Sequence, residues 1–208
     1  QDIAFTHDAD ATLGGDVTIT SNDGAVTMQE AVTGTDDNFT VSAESIIVGD
    51  INTAGGEISL TSTSGDITAA ALTSKAATAG KITVNAANDL TTGAVSTDGA
   101  AAGSLTVTSQ RWLIEGDVVV DGAIDASAVA EIHVPATAGP VEINGVGINF
   151  SDGGNNLLHG IGNEVTLDST VGVLELDNVD VDELTIDGAA SITLSGDISV
   201  KDDLAFPA

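Results

Sequence analysis

Cysteine and tyrosine are absent from this chain of 208 residues, tryptophan occurs once, and lysine and arginine together occur four times. Without cysteine, the fold can contain no disulfide bond, and the chemistry can use no thiolate ligand or nucleophile. The 32 acidic residues bring the formal net charge to −28. A surface of that charge repels nucleic acids and anionic membranes and attracts cations. We therefore expect no nucleic-acid partner and no membrane insertion.

Long apolar runs are also absent, since no stretch reaches the roughly 18 apolar residues that a membrane-spanning helix needs. Apolar residues still make up 42% of the chain and aromatic residues only 2%, so the core must consist mainly of aliphatic side chains. β-Branched side chains suit the narrow interior of stacked strands. The chain opens on Gln1 without an initiator methionine. This favours a mature secreted chain or a piece of a longer one.

A repeated unit organises the chain, and its clearest copy is GEISLTSTSGDITAAAL at residues 56–72. The repeat predicts first strands that begin at positions 17, 39, 58, 82 and 105, at steps of 22, 19, 24 and 23 residues. A second apolar position is predicted in these copies at Val26, Val48, Ile67, Leu90 and Ile114. A third apolar position is predicted at Val32, Ile51, Leu72, Val95 and Val118.

Strands this short cannot satisfy their backbone N–H and C=O groups within one copy of the repeat. Stacking each strand in parallel on its equivalent in the next copy supplies the missing partners. The repeat, with a period of about 19–24 residues and no helical periodicity, therefore predicts an all-β fold. We expect a right-handed parallel β-helix, or β-solenoid, with three short strands per coil and about nine coils.

The whole chain, residues 1–208, is predicted to form one elongated domain whose segments differ in regularity. Residues 1–14 are interpreted as an opening segment or as a strand donated to a neighbouring copy. Residues 15–120 are interpreted as regular coils. The sequence SDGGNNLLHGIGN at residues 151–163 predicts a Gly/Asn-rich insertion loop. Residues 164–208 are interpreted as closing coils.

Two patterns support this division of the later chain. Pro135 and Pro140 bracket the sequence PATAGP, which must be a turn or bulge, because proline cannot donate a hydrogen bond to a parallel ladder. After the insertion, the coil repeat returns. Three apolar positions are followed one coil later by their equivalents, as Val165 by Leu184, Leu174 by Ile192, and Val179 by Ile198.

The repeats GDVTITSNDGAVTM, GEISLTSTSGDITAAAL and GKITVNAANDLTTGAV resemble those of filamentous-haemagglutinin-type exoproteins. These are the large β-helical adhesins of bacterial two-partner secretion and their autotransporter relatives. The resemblance covers residues 15–120 well and residues 164–204 loosely. It implies a secreted, extracellular protein at the bacterial cell surface that acts as an adhesin, a filament or a component of a biofilm.

Open solenoid ends expose unpaired strand edges, and no amphipathic helix in the sequence would cap either end. A head-to-tail contact that does not close into a ring gives an open fibre. We therefore expect a non-enzymatic structural and adhesive protein. Its expected partners are other copies of itself at the solenoid ends or further coils of a longer chain, together with host-cell or matrix glycans.

An enzyme remains the first alternative, because parallel β-helices also include lyases and hydrolases that act on polysaccharides. Such enzymes need a base, or converging carboxylates, in one groove. The basic residues Arg111, Lys75, Lys81 and Lys201 fall on different coils, so no catalytic residue is assigned. The three histidines, His7, His133 and His159, lie far apart in the sequence and predict no catalytic triad.

A calcium-dependent adhesion module is the second alternative. Asp180 and Asp182 share one face of a predicted strand, and carboxylate oxygens are ligands that Ca²⁺ prefers. These two residues are the metal candidates, for weak Ca²⁺ binding only, and no other cofactor is expected. The remaining candidates are Arg111 and Trp112, which QRWLIEG places on a predicted turn. They are interpreted as corner packing or as contact residues.

Overall fold

The structure, a computed structural model, describes residues 1–5, 10–75, 80–97, 99 and 103–206. These residues form a β-solenoid of about nine turns, in which strands stack in parallel from coil to coil. The predicted β-solenoid fold is confirmed. In the described ranges, no helix has the length and hydropathy that crossing a bilayer requires.

The strands of the first half are short. They are β1 (Ile3–Phe5), β2 (Ala11–Thr12), β3 (Val17–Thr20), β4 (Val26–Met28), β5 (Val32–Thr33), β6 (Phe39–Ala43), β7 (Ile46–Val48), β8 (Ile51–Asn52), β9 (Ile58–Ser62), β10 (Ile67–Ala69), β11 (Leu72–Thr73), β12 (Ile82–Asn85), β13 (Asp89–Thr92) and β14 (Val95–Ser96). Several later strands are longer. They are β15 (Leu105–Ile114), β16 (Val118–Val119), β17 (Ala123–His133), β18 (Val141–Gly145), β19 (Gly147–Phe150), β20 (Leu157–Ser169), β21 (Val173–Leu176), β22 (Asn178–Asp187), β23 (Ser191–Leu194) and β24 (Ile198–Ala205).

Three parallel stacks of strands make up the wall of the solenoid. Stack 1 contains β3, β6, β9, β12, the first parts of β15 and β17, β19, β21 and β23. Stack 2 contains β1, β4, β7, β10, β13, the second parts of β15 and β17, and the first parts of β20, β22 and β24. Stack 3 contains β2, β5, β8, β11, β14, β16, β18 and the second parts of β20, β22 and β24.

The predicted first and third strand positions are confirmed by the register of the stacks. The first positions form one continuous column in stack 1, made of Val17, Phe39, Ile58, Ile82 and Leu105. The third positions form a column in stack 3, made of Val32, Ile51, Leu72, Val95 and Val118. Inward and outward side chains alternate along these strands, so the columns of apolar residues form one hydrophobic core.

The predicted second position is wrong in two coils. The column in stack 2 consists of Val26, Ile46, Ile67, Leu90 and Trp112. Val48 and Ile114, which were predicted there, lie two residues further along and pair with Ala69 and Thr92. The chain between the first and second positions is shorter in these two coils. Because side chains alternate with a period of two, an error of two residues still lands on the inward face.

Strands lengthen in the later coils because the chain runs straight through some corners. β15 and β17 join stack 1 to stack 2, and β20, β22 and β24 join stack 2 to stack 3. The predicted pairs in the closing coils are confirmed, since Val165 pairs with Leu184, Leu174 with Ile192, and Val179 with Ile198.

The predicted insertion loop at residues 151–163 is only partly a loop. Residues 151–156 lie outside the strands, but residues 157–163 belong to β20. Leu158 is buried and pairs with Ile132, so the first part of β20 lies in stack 2. The sequence PATAGP forms a single 3-10 turn at Ala136–Ala138, as the prediction of a turn between the two prolines requires. In the opening segment, β1 and β2 pair with β4 and β5 of the same chain.

Candidate functional site

The outer face of stack 2 brings distant residues together in columns. Parallel in-register strands lie about 4.8 Å apart, so residues paired in the register stand side by side. One outward column runs from Leu113 through His133 and His159 to Asp180. A neighbouring column, two residues earlier on the same face, runs from Asp89 through Arg111 to Glu131. The two columns together hold Arg111 and two of the three histidines of this chain.

Glu131, His133 and His159 form a compact group in these columns. The Nδ1 atoms of both histidines lie 3.8 Å from Oε1 of Glu131. The two imidazole rings meet edge to face, with centroids 5.0 Å apart and planes at 80°. One potential ligand atom from each residue lies within 4.8 Å of the others. In the described part of the chain, no other group of three His, Cys, Asp or Glu side chains is as close.

The group is half-buried and polar. The side chains of His133, His159 and Glu131 are 29%, 26% and 37% exposed. The Nδ1 atom of His133 is inaccessible to solvent and has no hydrogen-bond partner. Burial, followed by the proximity of His159 and Arg111, lowers the pKa of His133, although Glu131 opposes this shift. The structure thus favours a neutral imidazole, the form that can offer a nitrogen lone pair to a cation.

A surface depression of about 510 Å³ adjoins this group. Its lining includes Asp89, Arg111 and Glu131. Arg111 donates a hydrogen bond to the carboxylate of Asp89 in an exposed ion pair. The depression therefore combines two carboxylates with one guanidinium, next to the two histidines.

Arg111 and Trp112 have different positions from those predicted. Both lie within β15 and not on a turn, because the chain runs straight through this corner. Arg111 is exposed and remains a contact candidate. Trp112 is completely buried, and its Nε1–H donates to Oγ1 of Thr92 at 2.9 Å. The interpretation of Trp112 as a surface contact is therefore wrong, whereas packing within the core describes it correctly.

Asp180 and Asp182, the calcium candidates, do not form a joint site with a third acidic residue or histidine in the described residues. Asp182 accepts a hydrogen bond from Nζ of Lys201 at 3.1 Å. Asp180 pairs in register with His159, at the end of the histidine column. The ion pair with Lys201 partly neutralises the charge that a Ca²⁺ site would need.

Asp177 has a structural environment. It is only 1% exposed, and its carboxylate accepts hydrogen bonds from the hydroxyl of Ser151 at 2.6 Å and from the amides of Asp152 and Asn156 at 3.0 and 3.3 Å. Burial alone would raise the pKa of Asp177, but these hydrogen bonds, with one from the amide of Gly154, hold it at about 2. The carboxylate therefore anchors the loop at residues 151–156.

The sequence prediction did not find the histidine pair. His133 and His159 lie 26 positions apart, the chain between them includes the 3-10 turn and the loop, and their coil is longer than the regular ones. A signal was nevertheless present. Each histidine directly follows an inward apolar residue, Ile132 or Leu158, and aligning these two apolar residues places the histidines side by side.

Comparison with protein-family models, with curated proteins and with solved structures gave no match for this chain.

Proposed function

We propose that this protein is a non-enzymatic structural segment of an extracellular filament or adhesin at a bacterial cell surface. In this function the solenoid is a rod whose end coils stack on further coils. The observation that carries the proposal is the state of the last coil, where residues that continue buried columns are exposed.

The exposed residues lie in β23 and β24, in the columns that form the core in earlier coils. Four of them are apolar and continue columns whose previous members are buried: Ile192 follows Leu174, Leu194 follows Leu176, Ile198 follows Val179, and Leu204 follows Leu184. Their strand edges also lack a next coil within the described chain. An added coil in the same register would bury these side chains and pair the free edges of β23 and β24.

Two further observations support a structural function. The repeats of residues 15–120 resemble those of filamentous-haemagglutinin-type exoproteins, which are secreted surface adhesins. The net charge of −28 keeps the sides of such rods apart and so disfavours lateral clustering. Exposed polar strand faces are suited to weak, repeated contacts with host-cell or matrix glycans.

The test is electron microscopy of the purified chain at increasing concentration. End-to-end assembly predicts fibres that lengthen with concentration and repeat at the length of one solenoid, about 4.8 Å for each coil. Leu194→Asp with Leu204→Asp places charge on the end coil and should leave single rods. Val171→Asp is the matched control, because Val171 is exposed on the side of the rod, and it should leave assembly unchanged.

Single rods of the unaltered protein at every concentration would contradict stacking between copies. Circular dichroism of each variant checks that the solenoid is still folded. A glycan array, with the same variants, tests adhesion separately from assembly.

An enzyme acting on polysaccharides is the second candidate, and the depression beside Arg111 is the observation that favours it. Asp89 and Glu131 supply there the carboxylates that such an enzyme needs, and Arg111 supplies a protonated guanidinium that can pair with an acidic sugar. The test is incubation with acidic and neutral polysaccharides, followed by assays for new reducing ends and for unsaturated products. Turnover that disappears in Arg111→Ala would favour the enzyme over the structural function.

A further inference from the structure

We propose that Glu131, His133 and His159 bind one divalent transition-metal ion of the zinc class, which links two neighbouring coils of the solenoid. This inference does not depend on the proposed structural function, because it concerns the side of the rod and not its ends.

The geometry of the three side chains is close to that of a metal site. In a tetrahedral site with bonds of about 2.1 Å, neighbouring ligand atoms lie about 3.4 Å apart. Both histidine Nδ1 atoms lie 3.8 Å from the same oxygen of Glu131. That distance is too long for a hydrogen bond, and it is a few tenths of an ångström longer than ligation requires. The three ligand atoms lie within 4.8 Å of one another, and rotation of these partly exposed side chains would bring them to ligation distance.

An orphaned nitrogen atom supports the same conclusion. Nδ1 of His133 is buried from solvent and has no hydrogen-bond partner, although it faces the Glu131 carboxylate. A buried polar atom destabilises the fold when no hydrogen bond or ligand satisfies it. A cation held between the histidine and the glutamate would satisfy the nitrogen and the carboxylate together.

The ligand atoms select the class of ion. Two imidazole nitrogens and one carboxylate suit Zn²⁺, Ni²⁺ and Cu²⁺, whereas Ca²⁺ takes six to eight oxygen ligands. Three protein ligands leave a coordination position for water. The formal charge of −28 also concentrates divalent cations near the surface.

The position of the site explains what the ion would do. β17 and β20 pair over only three residues, Glu131–His133 with Leu157–His159. Between these two short segments lie the 3-10 turn and the loop at residues 151–156. An ion bound by both histidines would fasten this short pairing, at the point where the coil is least regular.

The first experiment is calorimetric titration of the full chain with ZnCl₂, after treatment with chelator, and a parallel titration with CaCl₂. We expect one saturable Zn²⁺ site per chain that a large excess of Ca²⁺ does not displace. His159→Gln and Glu131→Gln should each weaken Zn²⁺ binding by at least ~10-fold, the effect expected for disrupting a metal site. Glu30→Gln is the matched control, because it removes one exposed carboxylate on an early coil, far along the rod from the histidines, and should bind as the unaltered protein does.

A second measurement tests the link between coils. Hydrogen exchange of the backbone amides in residues 157–160 should slow when Zn²⁺ is added to the unaltered protein, but not when it is added to His159→Gln. Circular dichroism establishes that each variant is folded. If His159→Gln does not fold, Glu131→Gln decides the question, because Glu131 is the most exposed of the three ligands.

Several results would overturn the proposal. One is the absence of saturable Zn²⁺ binding. Another is weak binding at many sites that is equal in all variants, which would indicate the acidic surface and not a built site. Equal competition by Ca²⁺ would overturn the assigned class of ion.

Discussion

In the structure, the regular coils end before residue 97, and the later coils begin after residue 103; both stack in the same way, but they form their corners differently. In the regular coils, buried hydroxyls hold the turns. Oγ of Ser62 donates to the carbonyl of Gly65 at 2.7 Å, and Oγ1 of Thr53 donates to the carbonyl of Gly56 at 2.6 Å. In the later coils, strands such as β15 continue through the corner. No turn carbonyl is then available, and the buried Oγ of Ser109 has no partner.

The two regions also differ in which side chains they carry. Outward positions of the regular coils hold hydroxyl side chains in register, as Thr68 beside Thr91. The later coils hold the buried Trp112, the pair of His133 and His159, and the buried carboxylate of Asp177. The side chains of the regular coils therefore serve mainly to form the coil itself. The later coils carry the indole, imidazole and buried carboxylate groups.

The largest effect is expected at Trp112, where the later coils depend on one large side chain. Trp112→Ala removes a completely buried indole and leaves Oγ1 of Thr92 without its donor. The expected loss is about 3–5 kcal/mol of the free energy of unfolding. Equilibrium unfolding in urea measures this loss. Leu113→Ala, at the next position on the outer face, is the control and should cost much less. A loss below about 1 kcal/mol for Trp112→Ala would show that the coil closes around the cavity.

A pH-dependent effect is expected from Asp177. Its pKa of about 2 in the folded protein lies below the ordinary value of 3.8, so the folded state binds the proton less tightly than the unfolded state. The carboxylate thus contributes stability above pH 4, and this contribution is lost as the pH falls through 2. Each unit of difference between the folded and unfolded pKa corresponds to 1.36 kcal/mol, so the carboxylate contributes about 2 kcal/mol at neutral pH.

Asp177→Asn measures this contribution. At pH 7 the variant should be less stable by about 2 kcal/mol, and the difference from the unaltered protein should close toward pH 2. Using the difference between the two proteins removes the effect of the many other carboxylates that titrate in this range. A constant difference at every pH would mean that the loop is not held by the charged carboxylate.

Two serines give a direct comparison of the corners. Ser62 both donates to Gly65 and accepts from the amide of Ala87 at 2.9 Å, whereas Ser109 makes no hydrogen bond through Oγ. Ser62→Ala should therefore cost about 1–2 kcal/mol, and Ser109→Ala should be neutral or stabilising by up to about 1 kcal/mol. Urea unfolding of both variants provides the measurement. Equal losses in the two variants would contradict the difference between turned and straight corners.

Much of the fold could be predicted because the coil interior imposes a strict pattern. The first and third columns follow from recurring apolar residues such as Ile58 and Leu72, although the step from coil to coil varies from 19 to 24 residues. Ile46 and Trp112 were missed because the length of the corner before them varies. The sequence does not show directly whether a corner is turned or straight. An error there shifts the register along the strand but leaves the face unchanged.

The candidate site was less predictable than the fold. Two histidines 26 residues apart can be recognised as neighbours only when the length of the intervening coil is known. That length depends on the 3-10 turn and on the loop anchored by Asp177, neither of which follows the repeat. The outward residues of a column also show no recurring apolar pattern in the sequence. The chemistry on the outside of a solenoid therefore depends on register, whereas the core can be read from the repeat itself.

The smallest effect is expected where the later coils place like charges in one column. Asp168 and Asp187 pair in register, and Nδ2 of Asn144 donates to Asp168 at 3.3 Å. Burial, and then the charges of Asp187 and Glu142, raise the pKa of Asp168. The folded state binds this proton more tightly, so the charged pair destabilises the fold at neutral pH, and the penalty disappears as the pH falls below the pKa of Asp168. Asp187→Asn should therefore stabilise the protein by about 0.5 kcal/mol at pH 7 in low salt.

This gain should shrink in about 1 M salt, which screens the repulsion, and at a pH low enough to protonate Asp168. The double variant Asp168→Asn with Asp187→Asn should be less stable than the sum of the two single changes predicts, because either change alone removes the same repulsion. Urea unfolding at two salt concentrations measures all three variants. A gain that persists in high salt would have to come from packing and not from charge. Thr68 and Thr91, which pair in register in the regular coils, offer no such repulsion to remove.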